Sequence, residues 1–72
     1  MFKLQNRYQD LGWEDVTDAE FNYQDLASNY AQNLSEDTIS YGMVRVVDID
    51  TSKIIATFTD GIEITTNRSK SK

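Results

Sequence analysis

The segment YGMVRVVDIDTSKIIATF, residues 41–58, decides the fold. Residues 41–49 and 53–58 are dense in β-branched side chains, which pack well on the pleated surface of a sheet. The polar connection between them, residues 50–52, has a length that is common in hairpins. This segment therefore predicts a β-hairpin.

Shorter strand patterns lie on both sides of the hairpin. Residues 2–8 alternate between apolar and polar side chains, which predicts a half-buried strand. A turn at residues 10–12 precedes residues 13–17, which predict a second strand that folds back on the first. After a turn at residues 60–61, residues 62–66 alternate again and predict a short last strand.

One helix is predicted after residue 22. Its apolar side chains recur at spacings of 3, 4, 7 and 8, which place them on one face of a helix. We expect that face, including both of its tyrosines, to pack against the sheet. The face consists of Tyr23, Leu26, Ala27, Tyr30, Ala31 and Leu34.

The helix start has two candidate caps. Thr17, with Glu20 three residues later, forms a capping-box pattern. Asn22 is a good capping residue by type, and as the cap it makes Phe21 and Leu26 a hydrophobic staple pair. We predict Asn22 as the N-cap for that reason.

These elements give the order ββαββ with a short last strand. We predict an α+β fold in which one helix packs on one face of a mostly antiparallel sheet of four to five strands. Residues 1–66 are expected to form this single small domain. Residues 67–72 lack apolar side chains and are expected to form a disordered basic tail.

The composition argues against catalysis and against a metal or cofactor site. The chain has no cysteine and no histidine, so the common nucleophiles, proton carriers and zinc ligands are missing. Residues 48–52 begin like a calcium loop, but Lys53 stands where glycine is needed and Thr59 where a glutamate should close the site. We therefore expect a hairpin turn there, and no catalytic residue, cofactor or metal.

The expected location is cytoplasmic. No stretch of the chain has the length and hydropathy of a signal peptide or of a membrane span. The net charge of -5 argues against direct binding to nucleic acid or to an anionic membrane, because both depend on Lys and Arg. The expected partner is another protein.

The charges are segregated along the chain. Between Tyr8 and Val44 there are eight carboxylates and no lysine or arginine, so this half of the molecule has one sign of charge. Such acids keep a small protein soluble, and they also offer a surface to a cationic partner. The eight are Asp10, Glu14, Asp15, Asp18, Glu20, Asp25, Glu36 and Asp37.

The leading hypothesis is a non-catalytic protein-interaction module, an accessory or adaptor protein. Trp13 follows a glycine turn, and tryptophan is favoured at binding hot spots. An exposed strand edge adds unpaired backbone groups that a partner or a second copy can complete, which allows a homodimer. The predicted partner-binding residues are Trp13, Glu14, Asp15, Asp18 and Glu20.

Two alternatives stay open. In the first, an inhibitor, for example one encoded by a phage, uses its carboxylates to imitate nucleic acid and blocks a nucleic-acid-binding or defence protein. In the second, a dimer interface forms a pocket for a small ligand or nucleotide. Arg45 is the candidate ligand-binding residue there, because a single guanidinium on an apolar strand must reach solvent, pair with a carboxylate or meet an anion.

Overall fold

The structure, a computed structural model, describes residues 1–9 and 11–64, except for the side chains of residues 17–19. The tail predicted at residues 67–72 lies outside the described residues, as does the end of the predicted last strand. The fold is α+β, with one helix packed on an antiparallel sheet, as predicted. Its elements are β1 Phe2–Arg7, β2 Trp13–Phe21, α1 Gln24–Ser35, β3 Met43–Asp48, β4 Lys53–Thr59 and β5 Ile62–Glu63.

The sheet has the strand order β2-β1-β3-β4-β5, and every neighbouring pair is antiparallel. Both β2 and β3 run antiparallel to β1, so they run parallel to each other with β1 between them. Strands that are parallel need a long crossover connection, and α1 provides it. The chain thus closes one hairpin, crosses the sheet through the helix, and adds β3 on the other side of β1.

The core lies between α1 and the face of the sheet that it covers. Small residues spaced four apart, Ala27, Ala31 and Ser35, form the fully buried row of the helix. Because these side chains are small, the helix backbone can approach the sheet closely. The sheet contributes the buried side chains of Leu4, Val44, Val46, Ala56 and Phe58.

The predicted helix face is only partly correct. Tyr23 is 67% exposed, Leu26 is 55% exposed and Tyr30 is 48% exposed, so these residues do not form the buried face. The row Ala27, Ala31 and Ser35 faces the sheet instead. The apolar face of such a helix is more than 100° wide. Residue spacing identifies this face but does not show which part of it contacts the sheet.

The prediction of Asn22 as the N-cap is wrong. The helix starts one residue later, with Tyr23 in the cap position in an extended conformation and with no side-chain hydrogen bond to the first turn. With the cap at Tyr23, the staple positions shift away from Phe21. Its ring packs on Tyr30 instead, with the ring centroids 5.4 Å apart.

Gly42 fixes the entry to β3. Its φ of +69° is a left-handed conformation, and a Cβ at this position would collide with the carbonyl oxygen of Arg7. Glycine is the residue that allows both the conformation and the close approach. It bridges to Arg7 outside the regular ladder, which ends the pairing of β1 with β3.

Candidate functional site on the edge strand and the open face

β2 lies at one end of the strand order, so it is an edge strand of the sheet. All five residues predicted to contact a partner lie on it, from Trp13 to Glu20. The side chains of Glu14, Asp15 and Glu20 are exposed, and Trp13 is half-buried. The side chain of Asp18 is outside the described residues. The predicted contact segment from Trp13 to Glu20 and the exposed strand edge, two separate predictions from the sequence, are thus one element.

An irregular β-bulge interrupts β2. Gln5 pairs with Asp15 and Lys3 pairs with Glu20, so residues 16–19 of β2 face a single β1 residue, Leu4. Directly paired residues point to the same side of a sheet. Asp15 and Glu20 therefore lie on the same face, although regular alternation over five residues would place them on opposite faces.

The face away from α1, called the open face here, carries Asp15 in a network of polar contacts. Oδ1 of Asp15 accepts a hydrogen bond from Nε2 of Gln5 at 2.9 Å. The same oxygen lies 3.4 Å from Nζ of Lys3. The hydrogen bond from Gln5 and then the one from Lys3 lower the pKa of Asp15 from its ordinary value. The negative charge of Asp15 is therefore partly compensated by Lys3.

Arg45 extends the same network onto β3. Its Nε donates a 2.9 Å hydrogen bond to Oε1 of Gln5, and its guanidinium carbon lies 4.1 Å from the centroid of the Trp13 ring. That separation is within the range of a cation–π interaction. Partial burial lowers the pKa of the Arg45 guanidinium. Arg45, the single guanidinium of its apolar strand, is thus held by the Gln5 amide and the Trp13 indole.

Trp13 also lies on the open face, where its indole ring contacts Arg45. Arg45 covers one face of the indole ring, so Trp13 positions Arg45 as well as lying on the edge strand. Arg7 pairs with Trp13 and Gln5 with Asp15 across β1 and β2. Trp13 and Asp15 consequently share the open face, while the side chain of Glu14 points to the side on which α1 lies.

A depression of about 270 Å³ lies beside this network on the open face. Its polar walls come from Lys3, Gln5 and Arg45, and its apolar wall from Val47, Ile49 and Ile54. Volumes of roughly 300 Å³ and above are usual for small-molecule sites, so this depression is at the small end. Arg45, the candidate for ligand binding, lines it.

Residues 48–52 form the turn of the β3–β4 hairpin. The Asp48 carboxylate accepts a hydrogen bond from the backbone N–H of Asp50 at 3.0 Å, and Oδ2 of Asp50 lies 3.4 Å from the N-terminal amino group. Ser52 has a φ of +62°, and its N–H donates to the Asp48 carbonyl oxygen. In the described part of the chain, no group of three Asp or Glu side chains could hold a metal ion.

Gln5 is the residue that sequence reasoning missed. Its amide donates to Asp15 on one side and accepts from Arg45 on the other. Alternation placed Lys3, Gln5 and Arg7 on one side of the first strand, which is correct. It gave no indication that β1 is flanked by β2 and β3, and that position makes Gln5 a bridge.

Among the described residues, no helix combines the length and apolar composition needed to cross a membrane. Comparison with known proteins found no matching family model, no matching curated protein and no matching solved structure.

Proposed function

We propose that this chain is a non-catalytic protein-binding module whose contact surface is the edge strand β2. The observation that carries the proposal is the exposure of Glu14, Asp15 and Glu20 on a nine-residue strand at the end of the sheet. In the described residues, β2 has a strand neighbour on one side only. Its other side offers backbone groups for pairing, and its carboxylates select a cationic partner.

The bulge shapes how a partner pairs with this edge. Residues 16–19 leave the regular ladder, and bulges are a common device that stops continuous edge-to-edge pairing. Regular pairing is therefore confined to the two ends of β2, around Glu14 and around Glu20. Side-chain charge then provides specificity that a long backbone ladder would not give.

Self-association is favoured at the opposite edge of the sheet, at β4. Two copies of β2 placed edge to edge would bring like charges together, which is destabilising. The two-residue β5 pairs only with the end of β4, so Lys53–Ala56 remains an edge in the described structure. Ile54 on this edge is 53% exposed. We propose that a homodimer, if the chain forms one, uses the β4 edge.

Light scattering after size-exclusion chromatography tests the dimer. A dimer that Ile54→Lys converts to a monomer supports pairing through β4, because lysine on an edge strand opposes pairing with a second copy. A strict monomer at high concentration removes this part of the proposal and leaves the β2 surface unaffected.

The second candidate function is the acidic inhibitor that imitates nucleic acid. It is favoured by the exposed carboxylates on one strand, which have the sign of charge of a phosphate backbone. The contact between Lys3 and Asp15 reduces that similarity. The two functions differ in salt dependence, because binding by charge alone weakens steeply as salt rises, whereas backbone pairing at an edge does not.

The experiment compares two variants of equal net charge. The edge variant, also called the fourfold β2 variant, carries Glu14→Gln, Asp15→Asn, Asp18→Asn and Glu20→Gln. The control variant carries Glu36→Gln, Asp50→Asn, Asp60→Asn and Glu63→Gln, four acids that are exposed and lie away from β2. Proteins retained by the immobilised wild-type chain from a cell lysate are compared between the variants at low and at physiological salt.

Partners that the control variant retains and the edge variant loses support the proposed surface. Retention of the same proteins by both variants contradicts it. The inhibitor is the better description if the partner is lost from the wild-type chain at physiological salt and if this chain competes with DNA or RNA for the partner's binding site. Retention at both salt concentrations favours the adaptor.

A further inference from the structure

We infer that the exposed flank of α1 is a second docking surface, for an amphipathic helix of a partner that carries lysine or arginine beside its apolar side chains. The flank is formed by Tyr23, Leu26 and Tyr30, with Phe21 at its base. This inference extends the proposed function by naming a partner class, and it rests on that proposal only in taking the partner to be a protein.

The first observation is an apolar row that the fold leaves uncovered. Tyr23 is 67% exposed, Leu26 is 55% exposed and Tyr30 is 48% exposed. Leu26 and Tyr30 are four residues apart on one face of the helix, and Tyr23 is the cap residue directly before its first turn, so the three form a ridge about 10 Å in length. Tyrosine and leucine side chains on such a ridge can pack into the groove of a second helix.

The second observation is that the ridge continues onto the sheet. The Phe21 ring at the end of β2 packs against the Tyr30 ring at 5.4 Å, and Phe21 itself is half-buried. This contact holds Tyr30 at a fixed position beside the edge strand. A rigid aromatic side chain costs little conformational entropy on binding, which is why tyrosine is enriched at hot spots.

The third observation is the charge around the ridge, and it selects the occupant. Neither β2 nor α1 contains a lysine or an arginine. Asp25 is exposed in the first turn of α1, two residues after Tyr23. Charge complementarity therefore favours a partner helix with cationic side chains along its apolar stripe, and it disfavours an acidic second copy of this same surface.

The probe is a dye-labelled peptide of about 18 residues, long enough for five helical turns, made only of leucine and lysine. In one peptide the leucines repeat at the spacing of an amphipathic helix, and in the other the same residues are scrambled. Fluorescence anisotropy at about 0.15 M salt measures binding to the wild-type chain, to Tyr23→Ser, and to the double variant Tyr23→Ser/Tyr30→Ser. The control double variant, Leu11→Ser/Ile39→Ser, removes two apolar side chains that are 73% and 81% exposed elsewhere.

The expected result is that the wild-type chain and the control variant bind the amphipathic peptide equally and roughly tenfold more tightly than the scrambled peptide. The Tyr23→Ser/Tyr30→Ser variant should lose roughly tenfold in affinity. The single variant Tyr23→Ser should show part of this loss, and it places a capping hydroxyl at the helix start, so its fold is retained. Far-ultraviolet circular dichroism checks the fold of each variant.

Three results would overturn the inference: no binding of the amphipathic peptide, equal binding of the scrambled peptide, or equal binding by the tyrosine variants. A wild-type dimer that the tyrosine variants convert to a monomer would also overturn it, because the occupant would then be a second copy. Applying the fourfold β2 variant to the same peptide separates the two proposals. If the tyrosine variants fail while the β2 variant binds normally, the flank stands and β2 as the contact surface for this partner does not.

Discussion

Arg45 shows at the residue scale how one side chain is held by contacts that are distant in sequence. Gln5 and Trp13 come from two other strands, and both contact its guanidinium. A half-exposed cation–π pair contributes about 0.5–1 kcal/mol. The contacts account for the position of Arg45 on an otherwise apolar strand, while its place in the wall of the open-face depression keeps it within reach of an anion.

Replacing Arg45 with methionine should lower the free energy of unfolding by about 1 kcal/mol, since the aliphatic part of the side chain is kept while the cation–π contact is lost. Urea unfolding measures this change. The fluorescence of Trp13, the single tryptophan of the chain, should change as well. Lys53→Met is the control at an exposed site. A loss above about 3 kcal/mol would instead indicate a buried charge pair.

Asp15 makes a pH-dependent contribution to stability. Gln5 and Lys3 lower its folded-state pKa, so the unfolded chain binds this proton more readily than the folded chain does. The contribution is complete above the unfolded pKa of about 3.9 and disappears as the pH falls through the folded value. In Asp15→Asn, urea unfolding between about pH 5 and pH 2 should show a shallower loss of stability on acidification.

The control for this pH dependence is Glu14→Gln. Glu14 is the adjacent carboxylate, and in the described part of the chain it makes no side-chain hydrogen bond or ion pair. Its replacement should leave the acid slope closer to that of the wild-type chain. An unchanged slope in Asp15→Asn would show that the contacts with Gln5 and Lys3 do not stabilise the folded state.

At the scale of the elements, Ser35 joins the end of α1 to the β4–β5 turn. Its hydroxyl is fully buried, donates to the Gln32 carbonyl oxygen at 2.8 Å and accepts from the Gly61 N–H at 3.0 Å. The Gln32 side chain also donates to the Gly61 carbonyl oxygen at 2.8 Å. The turn is thus bound to the helix end by two hydrogen bonds, both to the backbone of Gly61, and this holds the short β5 in place.

Ser35→Ala should therefore lower the free energy of unfolding by about 1–3 kcal/mol, because the Gly61 N–H loses its acceptor in a partly buried place. Ser28→Ala in the same helix is the matched control, and its change should be near zero or stabilising, since alanine has the better helix propensity. Amide hydrogen exchange at Gly61 should accelerate in Ser35→Ala. Equal unfolding free energies for the two variants would contradict the role of this hydroxyl.

On the scale of the whole molecule, acidic and basic side chains are carried by different elements. The edge strand β2 and the helix α1 carry acids without cations, whereas Lys3 and Arg45 lie on the open face. A net charge of -5 on 72 residues means that like charges repel each other within a small folded body. The unfolded chain spreads these charges further apart, so repulsion favours it.

Sodium chloride should consequently raise the melting temperature between about 0.01 M and 0.15 M, as screening reduces this repulsion. The fourfold β2 variant should start from a higher melting temperature at low salt and respond less to added salt. The fourfold control variant, with the same net charge, should keep more of the wild-type response. A melting temperature that falls with salt in the wild-type chain would mean that its attractive ion pairs outweigh the repulsion.

The sequence by itself determined the α+β class, the hairpin of residues 41–58 and the position of the acids along the chain. These properties depend on local periodicity, turn chemistry and charge, which are readable from neighbouring residues. The polar side of β1 was local in this sense too, since Lys3 and Gln5 alternate with the buried Leu4.

Only the tertiary structure decided which strands flank β1, which side of the helix is buried and where the bulge of β2 falls. Each depends on contacts between residues that are far apart in sequence. The bulge reverses the alternation between Asp15 and Glu20 and places both on the open face. The close approach permitted by Ala27 and Ala31 turns the helix so that Tyr23 and Tyr30 remain exposed, because tight packing against the sheet favours the smallest side chains.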